Sequence, residues 1–494
     1  MNKRALFLGL DLGTSGVKVG AIDAEGQLLA RAEAQYRTES PQPGWVEQTP
    51  EEWWAACAGA IKEVVLQVDR ALVQGVCVAG QSPALVCLDD RGEPVRPASI
   101  WSDQRAIREA DEVAQRLGPL APFSLLPRLL WLKRLEPTHY LRTKWVCESF
   151  DYISFKLTHQ VASISPAGLR PWDPRDIAAI GLEPDKFPTR VCQLGEVFGS
   201  LAPEVAATLG LPAEVPVIAG TIDAFAAWIG TATLSTGSLC NTAGTSEGVA
   251  LVWHQPLTDP QQRVLSIRHI TGRDWIVGGA MSTGGIMLDW FGRVFYDRVT
   301  NPYVALAEEA KSVPAGAEGL IVLPYLVGER APMFDPHVRG VFFGITGTHT
   351  RAHFARAVLE SVAFAVKDVC EVIQEMGAEI GEVRVAGGGA RNDVWNQIKA
   401  DVLGRRVLVP EIADSGLLGA AIIAGWGTGW FANLADAAQA MVKFRAVLEP
   451  NPKNQEAYAA LFELYRSLYT HLKDDFAALI ELKKTCSAHH QHTH

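Results

Sequence analysis

Asp11-Leu12-Gly13-Thr14-Ser15-Gly16 sets a carboxylate before a glycine-bearing turn with two hydroxyls. Backbone N–H and hydroxyl donors in such a turn can wrap phosphate oxygens, and the carboxylate can reach a hydrated Mg2+ that neutralises them. The same residues also suit a β-hairpin whose Asp bonds its own turn. A second turn, Gly244-Thr245-Ser246, again leads into an apolar strand and lies near the middle of the chain. Two such turns could hold a triphosphate from both sides; a repeated hairpin without ligand is the alternative.

Asp223 follows the strand-like run 215–219 and stands where a helix should begin. A carboxylate there suits the helix dipole. It also suits a base for a substrate hydroxyl, because the loose transition state of phosphoryl transfer asks more for positioning than for strong proton removal. The two readings are compatible. Gly387-Gly388-Gly389 lies between a strand at 382–385 and a helix, so it either lets a ligand approach a helix N-terminus or makes a tight turn. Gly284-Gly285 is a weaker signal of the same kind. The sequence lacks G-x-x-x-x-G-K-[ST], G-x-S-x-G and H-E-x-x-H, which excludes a P-loop site and the corresponding hydrolases. Residues 427–432 fit a loose dinucleotide pattern, but they sit at a helix end and not after a strand.

The elements that must carry these residues alternate in type. Apolar runs at 5–10, 17–23 and 28–32, joined by short turns, predict an antiparallel meander. Thr49-Pro50-Glu51-Glu52 predicts a helix start with a capping box and Pro at the first position, burying Trp53, Trp54, Cys57, Ile61 and Val64. Strands are expected at 76–79 and 85–88, and helix-period patterns fill much of 104–160. Mixed strands and helices predict an α/β protein. Residues 415–435 carry no charge, but five glycines interrupt them, which favours a buried globular helix over a membrane span.

Length and composition agree. The 494 residues suit two or three domains, and 48% apolar with 20% charged residues suffice for large cores. A net charge of −10 opposes broad attraction to nucleic acid or anionic lipid. Eight scattered cysteines without C-x-x-C read as reduced core thiols of a cytoplasmic protein. The start, MNKRALFLGLDLGTSG, reads as a first strand and not as a signal peptide. The final histidines, His489, His490, His492 and His494, are set aside as a polar tail.

DLGTSGVK (11–18), PGWVEQTPEEWW (43–54), WSDQR (101–105), GTIDAFAAWIG (220–230), NTAGTS (241–246), PYLVGERAP (324–332), LESVAFAVKD (359–368) and GGGARNDVWNQIKADVLG (387–404) occur in that order. Together they resemble the FGGY family of carbohydrate kinases over nearly the whole chain. The resemblance implies two duplicated actin-like, ribonuclease H-like ATPase domains around a central cleft. It implies a sugar-binding domain over 1–247, a nucleotide-binding domain over 248–445, and a C-terminal helix with polar tail over 446–494. ATP and Mg2+ are the implied cofactors, a sugar or polyol the acceptor; nucleic acid and membrane are not implied partners, and a homodimer is admitted.

By the same resemblance, Asp223 is the catalytic base and Asp11 the Mg2+-linked acid, with both as metal-side carboxylates. Thr14, Ser15, Lys18, Gly244, Thr245, Gly285, Gly388 and Asn392 are nucleotide contacts. Gln81, Ser82, Trp101, Asp103 and Asp223 are substrate contacts. The wording is nearest that of xylulokinases, which implies D-xylulose as acceptor, with D-ribulose, another pentulose or a tetritol next. Xylulokinases have Gln-Met-His-Gly where this chain has Gln81-Ser82-Pro83-Ala84, and an amide where it has Ala224. These departures bear on which sugar is bound. A partner-switching ATPase like actin or Hsp70 is the rival class; it does not need the WSDQR and GWVEQTPEEWW motifs.

Overall fold

The computed structural model describes residues 5–118, 124–165 and 173–491. The chain forms two compact units: Met1–Ala232 with Ile270–Gly272 and Asp414–Lys443, and Thr233–His269 with Arg273–Ala413 and Phe444–His494.

In the first unit, β1 (Leu6–Leu12), β2 (Gly16–Asp23) and β3 (Leu28–Gln35) form the expected antiparallel meander. They are followed by β4 (Val73–Gly80), β5 (Val197–Ser200) and β6 (Pro216–Ile222), giving the order β5-β6-β4-β1-β2-β3. β1, β4 and β6 run parallel. The second unit repeats this plan. β7 (Ser238–Ala243), β8 (Glu247–Trp253), β9 (Leu265–Arg268), β10 (Trp275–Ala280), β11 (Glu382–Ala386), β12 (Val407–Pro410) and β13 (Phe444–Leu448) take the order β9-β10-β8-β7-β11-β12-β13. In each sheet a hairpin carrying a Gly-Thr-Ser turn leads to parallel neighbours, here β7, β11 and β12. This duplicated mixed sheet is the actin-like ATPase fold.

The division falls at Ala232/Thr233 and not after 247, because β7 pairs with β8 and β11 and so draws the hairpin before the second turn into the second sheet. The chain also returns to the first unit at Asp414–Lys443, so the expected continuous 248–445 segment is interrupted. That return is helix α7 below. The C-terminal helix Pro452–Gln491 lies within the expected 446–494; His492 and His494 of the polar tail lie outside the described residues.

Eight helices matter for the site: α1 (Pro50–Val65), α2 (Ser149–Thr158), α3 (Asp223–Gly230), α4 (Gly285–Phe295), α5 (Arg351–Glu375), α6 (Asp393–Leu403), α7 (Ser415–Gly427) and α8 (Pro452–Gln491). α1 buries Trp53, Cys57, Ile61 and Val64 and starts with Pro50 after Thr49, as expected, but Trp54 is only half-buried. The capping box does not form. Thr49 makes no side-chain cap, and Glu52 accepts from the Arg37 N–H at 3.2 Å instead. A carboxylate close to the N–H of a residue just past β3 satisfies that donor rather than its own helix end.

α7 is buried from Ser415 to Gly425, and no described helix is long and apolar enough to cross a membrane. Its glycines bring backbones together: a Cβ at Gly419 would stand 1.9 Å from the Ala226 carbonyl oxygen, and one at Gly230 1.9 Å from that of Ser415. α3 and α7 therefore cross in contact, which only glycine permits. The seven described cysteines are buried and free.

Candidate active site

Sheet register gathers the first set of candidate residues. Gly80 is level with Leu12 of β1 and with Ile222 of β6. Asp11, Gln81 and Asp223 therefore stand at the carboxyl ends of three adjacent parallel strands, where open α/β sheets present ligand sites. Asp223 is the first residue of α3 and is half-buried. Its Oδ1 accepts the Ala224 N–H at 2.7 Å, and no other described residue hydrogen-bonds to the carboxylate. Burial pushes its carboxyl above the ordinary range, against the pull of that bond.

Asp11 is also half-buried, and its carboxyl is pushed up to about 7. Burial is the main cause, followed by repulsion from Asp223, and Lys18 opposes both. Two carboxylates that repel each other and are flanked by a single lysine form a hard-oxygen donor set with excess negative charge. Lys18 faces Asp11 across the hairpin but is paired with Asp414 at 2.9 Å. A Cβ at Gly416 would lie 2.8 Å from Asp11 Oδ2, so the start of α7 closes over this carboxylate.

The first Gly-Thr-Ser turn is braced from below. Gly13 N–H donates to the Gly16 carbonyl at 3.0 Å, and the Tyr36 hydroxyl donates to the Gly13 carbonyl. Gln48 Nε2 donates to the Thr14 carbonyl at 2.6 Å, while Gln48 Oε1 accepts from Trp53 and from Gln81 Nε2, at 2.9 and 2.7 Å. Thr14 Oγ1 accepts from Trp101 Nε1 at 2.9 Å, which joins the two motifs directly. Ser15 is exposed. Gln81 is buried, with Oε1 unpartnered.

Asp103 does not face this site with a free carboxylate. Its side chain has no exposed surface, both oxygens accept from Arg105, and Oδ2 also accepts the Val46 N–H at 2.7 Å. Arg105 continues to Glu47 at 2.7 Å and lies over the Trp45 ring at 3.9 Å. The WSDQR and GWVEQ motifs thus lock to each other and hold Trp101, which is 42% exposed, at the surface.

Two residues near the Gln81–Ala84 loop escaped the sequence reading. Glu148, the residue before α2, accepts from Ser82 Oγ at 3.1 Å and from the Ala84 N–H at 2.8 Å. It thereby fixes the segment that departs from the Gln-Met-His-Gly pattern. Arg128 is buried and donates to the carbonyls of Ile100, Trp101 and Asp103, at 3.1, 3.1 and 3.3 Å. Neither position belongs to a local pattern, and only the Glu148/Asp151 spacing before a helix hinted at a cap.

Glu148 makes stability depend on pH. Burial raises its carboxyl to about 8, so the folded protein holds a proton that the unfolded chain has lost. Its contribution is complete below the ordinary carboxylic range and disappears as pH rises through about 8, by at most about 1.4 kcal/mol per pH unit. Glu148→Gln is expected to gain Tm relative to wild type between pH 5 and pH 9. Asp151, raised to about 7, titrates in both proteins and largely cancels. A Tm difference that stays flat across this range contradicts the assignment.

The second set lies within the second unit. Gly244, Thr245, Gly285, Gly388 and Asn392 line one cavity of about 730 Å3, with Leu288, Tyr303, Val304 and Trp395 among its walls. The Gly244 turn, Gly285 and the triple-glycine segment therefore meet at one ligand-sized space, whereas Thr14, Ser15 and Lys18 of the first turn do not line it. Gly244 N–H donates to the Ser246 carbonyl at 3.0 Å, closing this turn two residues on where the first turn closes three residues on, from Gly13 to Gly16. The start of α4 supports the turn: Gly285 and Ile286 N–H donate to the Gly244 and Thr245 carbonyls at 2.9 and 2.8 Å. A Cβ at Gly285 would meet Gly244 O at 2.5 Å, so this close approach requires glycine. A short 3-10 turn, Gly388–Arg391, separates the triple glycine from α6, and Asn392 caps that helix by accepting the Trp395 N–H at 3.0 Å. Tyr303 and Asn301 come from a loop and helix start that carry no glycine signal.

Among the described residues no group of three or more His, Cys, Asp or Glu is arranged to hold a metal. A Mg2+ ion does not need one; it is commonly held by one or two carboxylates with water and substrate phosphates, which Asp11 and Asp223 fit.

Residues 6–230 match the N-terminal domain and residues 239–428 the C-terminal domain of the FGGY family of carbohydrate kinases. A xylulose kinase of Bacillus subtilis is 32% identical over 498 residues, covering 97% of this chain and 99% of that protein. A gluconokinase of the same organism is 27% identical, covering 98% and 99%. The crystal structure of xylulose kinase from Rhodospirillum rubrum superposes with a TM-score of 0.81 at 28% identity, covering 95% of this chain and 99% of that one.

Proposed function

The chain belongs to the FGGY family of carbohydrate kinases and is an ATP-dependent sugar kinase, and from that premise we propose that it phosphorylates D-xylulose to D-xylulose 5-phosphate. The observation that carries the proposal is the alignment of Asp11, Gln81–Ser82 and Asp223 at adjacent strand ends, with one oxygen of Asp223 left for a substrate. The xylulose kinase relative supports the choice of sugar. D-Ribulose, another pentulose or a tetritol is the second reading, because Ser82-Pro83 and Ala224 replace groups through which such pockets discriminate hydroxyls.

In this reading Asp223 Oδ2 takes the proton of the terminal hydroxyl as its oxygen attacks the γ-phosphorus. The new O–P bond forms as the bond to the β-phosphate oxygen breaks, and ADP leaves. Oδ1, held by Ala224 N–H, fixes the carboxylate plane. Burial makes Asp223 a somewhat better base than a free aspartate. Gly244, Thr245, Gly285, Gly388 and Asn392 hold the nucleotide in the cavity, and the Thr14–Ser15 turn and Lys18 offer donors to a phosphoryl group. When bound, Mg2+ on Asp11, with Asp223 nearby, neutralises phosphate charge. Gln81, Ser82 and Trp101 face the sugar, while Asp103 acts by tying its own loop to Arg105 and to the Val46 N–H. The protein is placed in the cytoplasm, in keeping with its buried reduced thiols; sedimentation decides the proposed homodimer.

A coupled ADP-release assay over D-xylulose, D-ribulose, other pentuloses, tetritols, glycerol and D-gluconate tests the choice of sugar. D-Xylulose is expected to give the highest kcat/KM. A higher value for any other acceptor replaces it as the substrate.

A further inference from the structure

Against Trp395, a wall residue of the cavity, lies a buried charged cluster. Asn241, Glu247 and Lys399 are 0, 1 and 0% exposed. Lys399 Nζ donates to Asn241 Oδ1 at 2.6 Å and to Glu247 Oε2 and Oε1 at 3.1 and 3.2 Å. Asn241 Nδ2 donates to Glu247 Oε2. The ammonium also lies 4.1 Å from the centre of the Trp395 ring, and Trp395 lines the cavity.

Burial alone argues against such a cluster, since it raises the Glu247 carboxyl and lowers the Lys399 ammonium toward their neutral forms. A buried ion pair is seldom a net gain over apolar residues of the same size. What it fixes is geometry. Asn241 and Glu247 flank the Gly244–Ser246 turn, on β7 and β8. Lys399 stands on α6, directly after the Gly388–Asn392 segment. Three hydrogen-bonded side chains therefore set the distance between the two backbone segments that line opposite parts of the cavity. The turn is further tied by Glu247 N–H to the Thr283 carbonyl at 2.8 Å, just before α4.

We propose that Asn241, Glu247 and Lys399 are positioning residues that hold the 244–245 turn and the 388–392 segment at the spacing a nucleotide requires. The proposal rests on the reading of the cavity as the nucleotide site. The test separates stability from affinity. Lys399→Met alone strands a buried carboxylate and is expected to lower Tm markedly. Adding Glu247→Leu removes that charge and is expected to restore most of the Tm. ADP affinity by calorimetry and KM for ATP should nevertheless stay about 10-fold weaker than wild type in the double variant, with KM for the sugar unchanged.

If the double variant does not fold, Asn241→Ala keeps the ion pair and is expected to weaken ADP about threefold at near-normal Tm. Wild-type ADP affinity in the folded double variant, or in Asn241→Ala where the double fails to fold, overturns the positioning role. Failure of the wild-type protein to bind ADP overturns the nucleotide reading of the cavity itself.

Discussion

Asp223→Ala folds normally and loses sugar phosphorylation by about 10²–10⁴-fold in kcat, the range expected for removal of a positioned general base. Folding is spared because Asp223 is half-buried, makes only its own Ala224 bond and repels Asp11. Removing it relieves that repulsion, so the Asp11 carboxyl should fall below about 7, while burial still holds it above the ordinary range. Nucleotide affinity should not change, since none of the cavity residues is touched. Asp223→Asn separates charge from shape. It keeps the size and an oxygen able to accept from Ala224 N–H but cannot take a proton, so it should be nearly as inactive. Near-wild-type turnover in either variant, measured with the coupled ADP assay, removes Asp223 from the chemistry.

Asp11→Asn lowers activity by about 10–100-fold and raises the Mg2+ concentration needed for half-maximal rate. The loss should appear in kcat, with KM for the sugar close to wild type. Gly416→Ala offers an independent route to the same phenotype. Its Cβ would stand 2.8 Å from Asp11 Oδ2, so the carboxylate must turn aside while the α7 backbone stays in place. A methyl group that never touches substrate should therefore reproduce part of the Asp11→Asn defect. If Asp11→Asn leaves the Mg2+ requirement unchanged, Asp11 is a structural carboxylate only.

Much of this arrangement was legible because it is local. Alternating apolar residues in 6–35 announce a meander, and a Gly-Thr-Ser turn at each hairpin announces the duplication, which the two antiparallel hairpins reproduce. The uncharged stretch from Ser415 forms a buried helix because its glycines meet other backbones, as at Gly419 against Ala226. Most of the departures come from contacts distant in sequence. That Asp414–Lys443 returns to the first unit is a matter of long-range packing, which periodicity does not encode. Glu52 was expected to cap its own helix, but the Arg37 N–H, brought close by the fold, competes for it. At Asp103 the pairing is short-range: Arg105, two residues on, donates to both oxygens, a contact that spacing alone does not announce. Nothing in the sequence marked Glu148 as a partner of Ser82 or Lys399 as a partner of Glu247, since those partners lie 66 and 152 residues away.

Transfer of label from γ-labelled ATP in the presence of D-xylulose is the most direct measurement. The label should appear in a sugar ester, in equal amount to ADP, with phosphorus–carbon coupling in the NMR spectrum placing it on the terminal carbon. Recovery of the label as inorganic phosphate, with the ketose unchanged, would contradict the account.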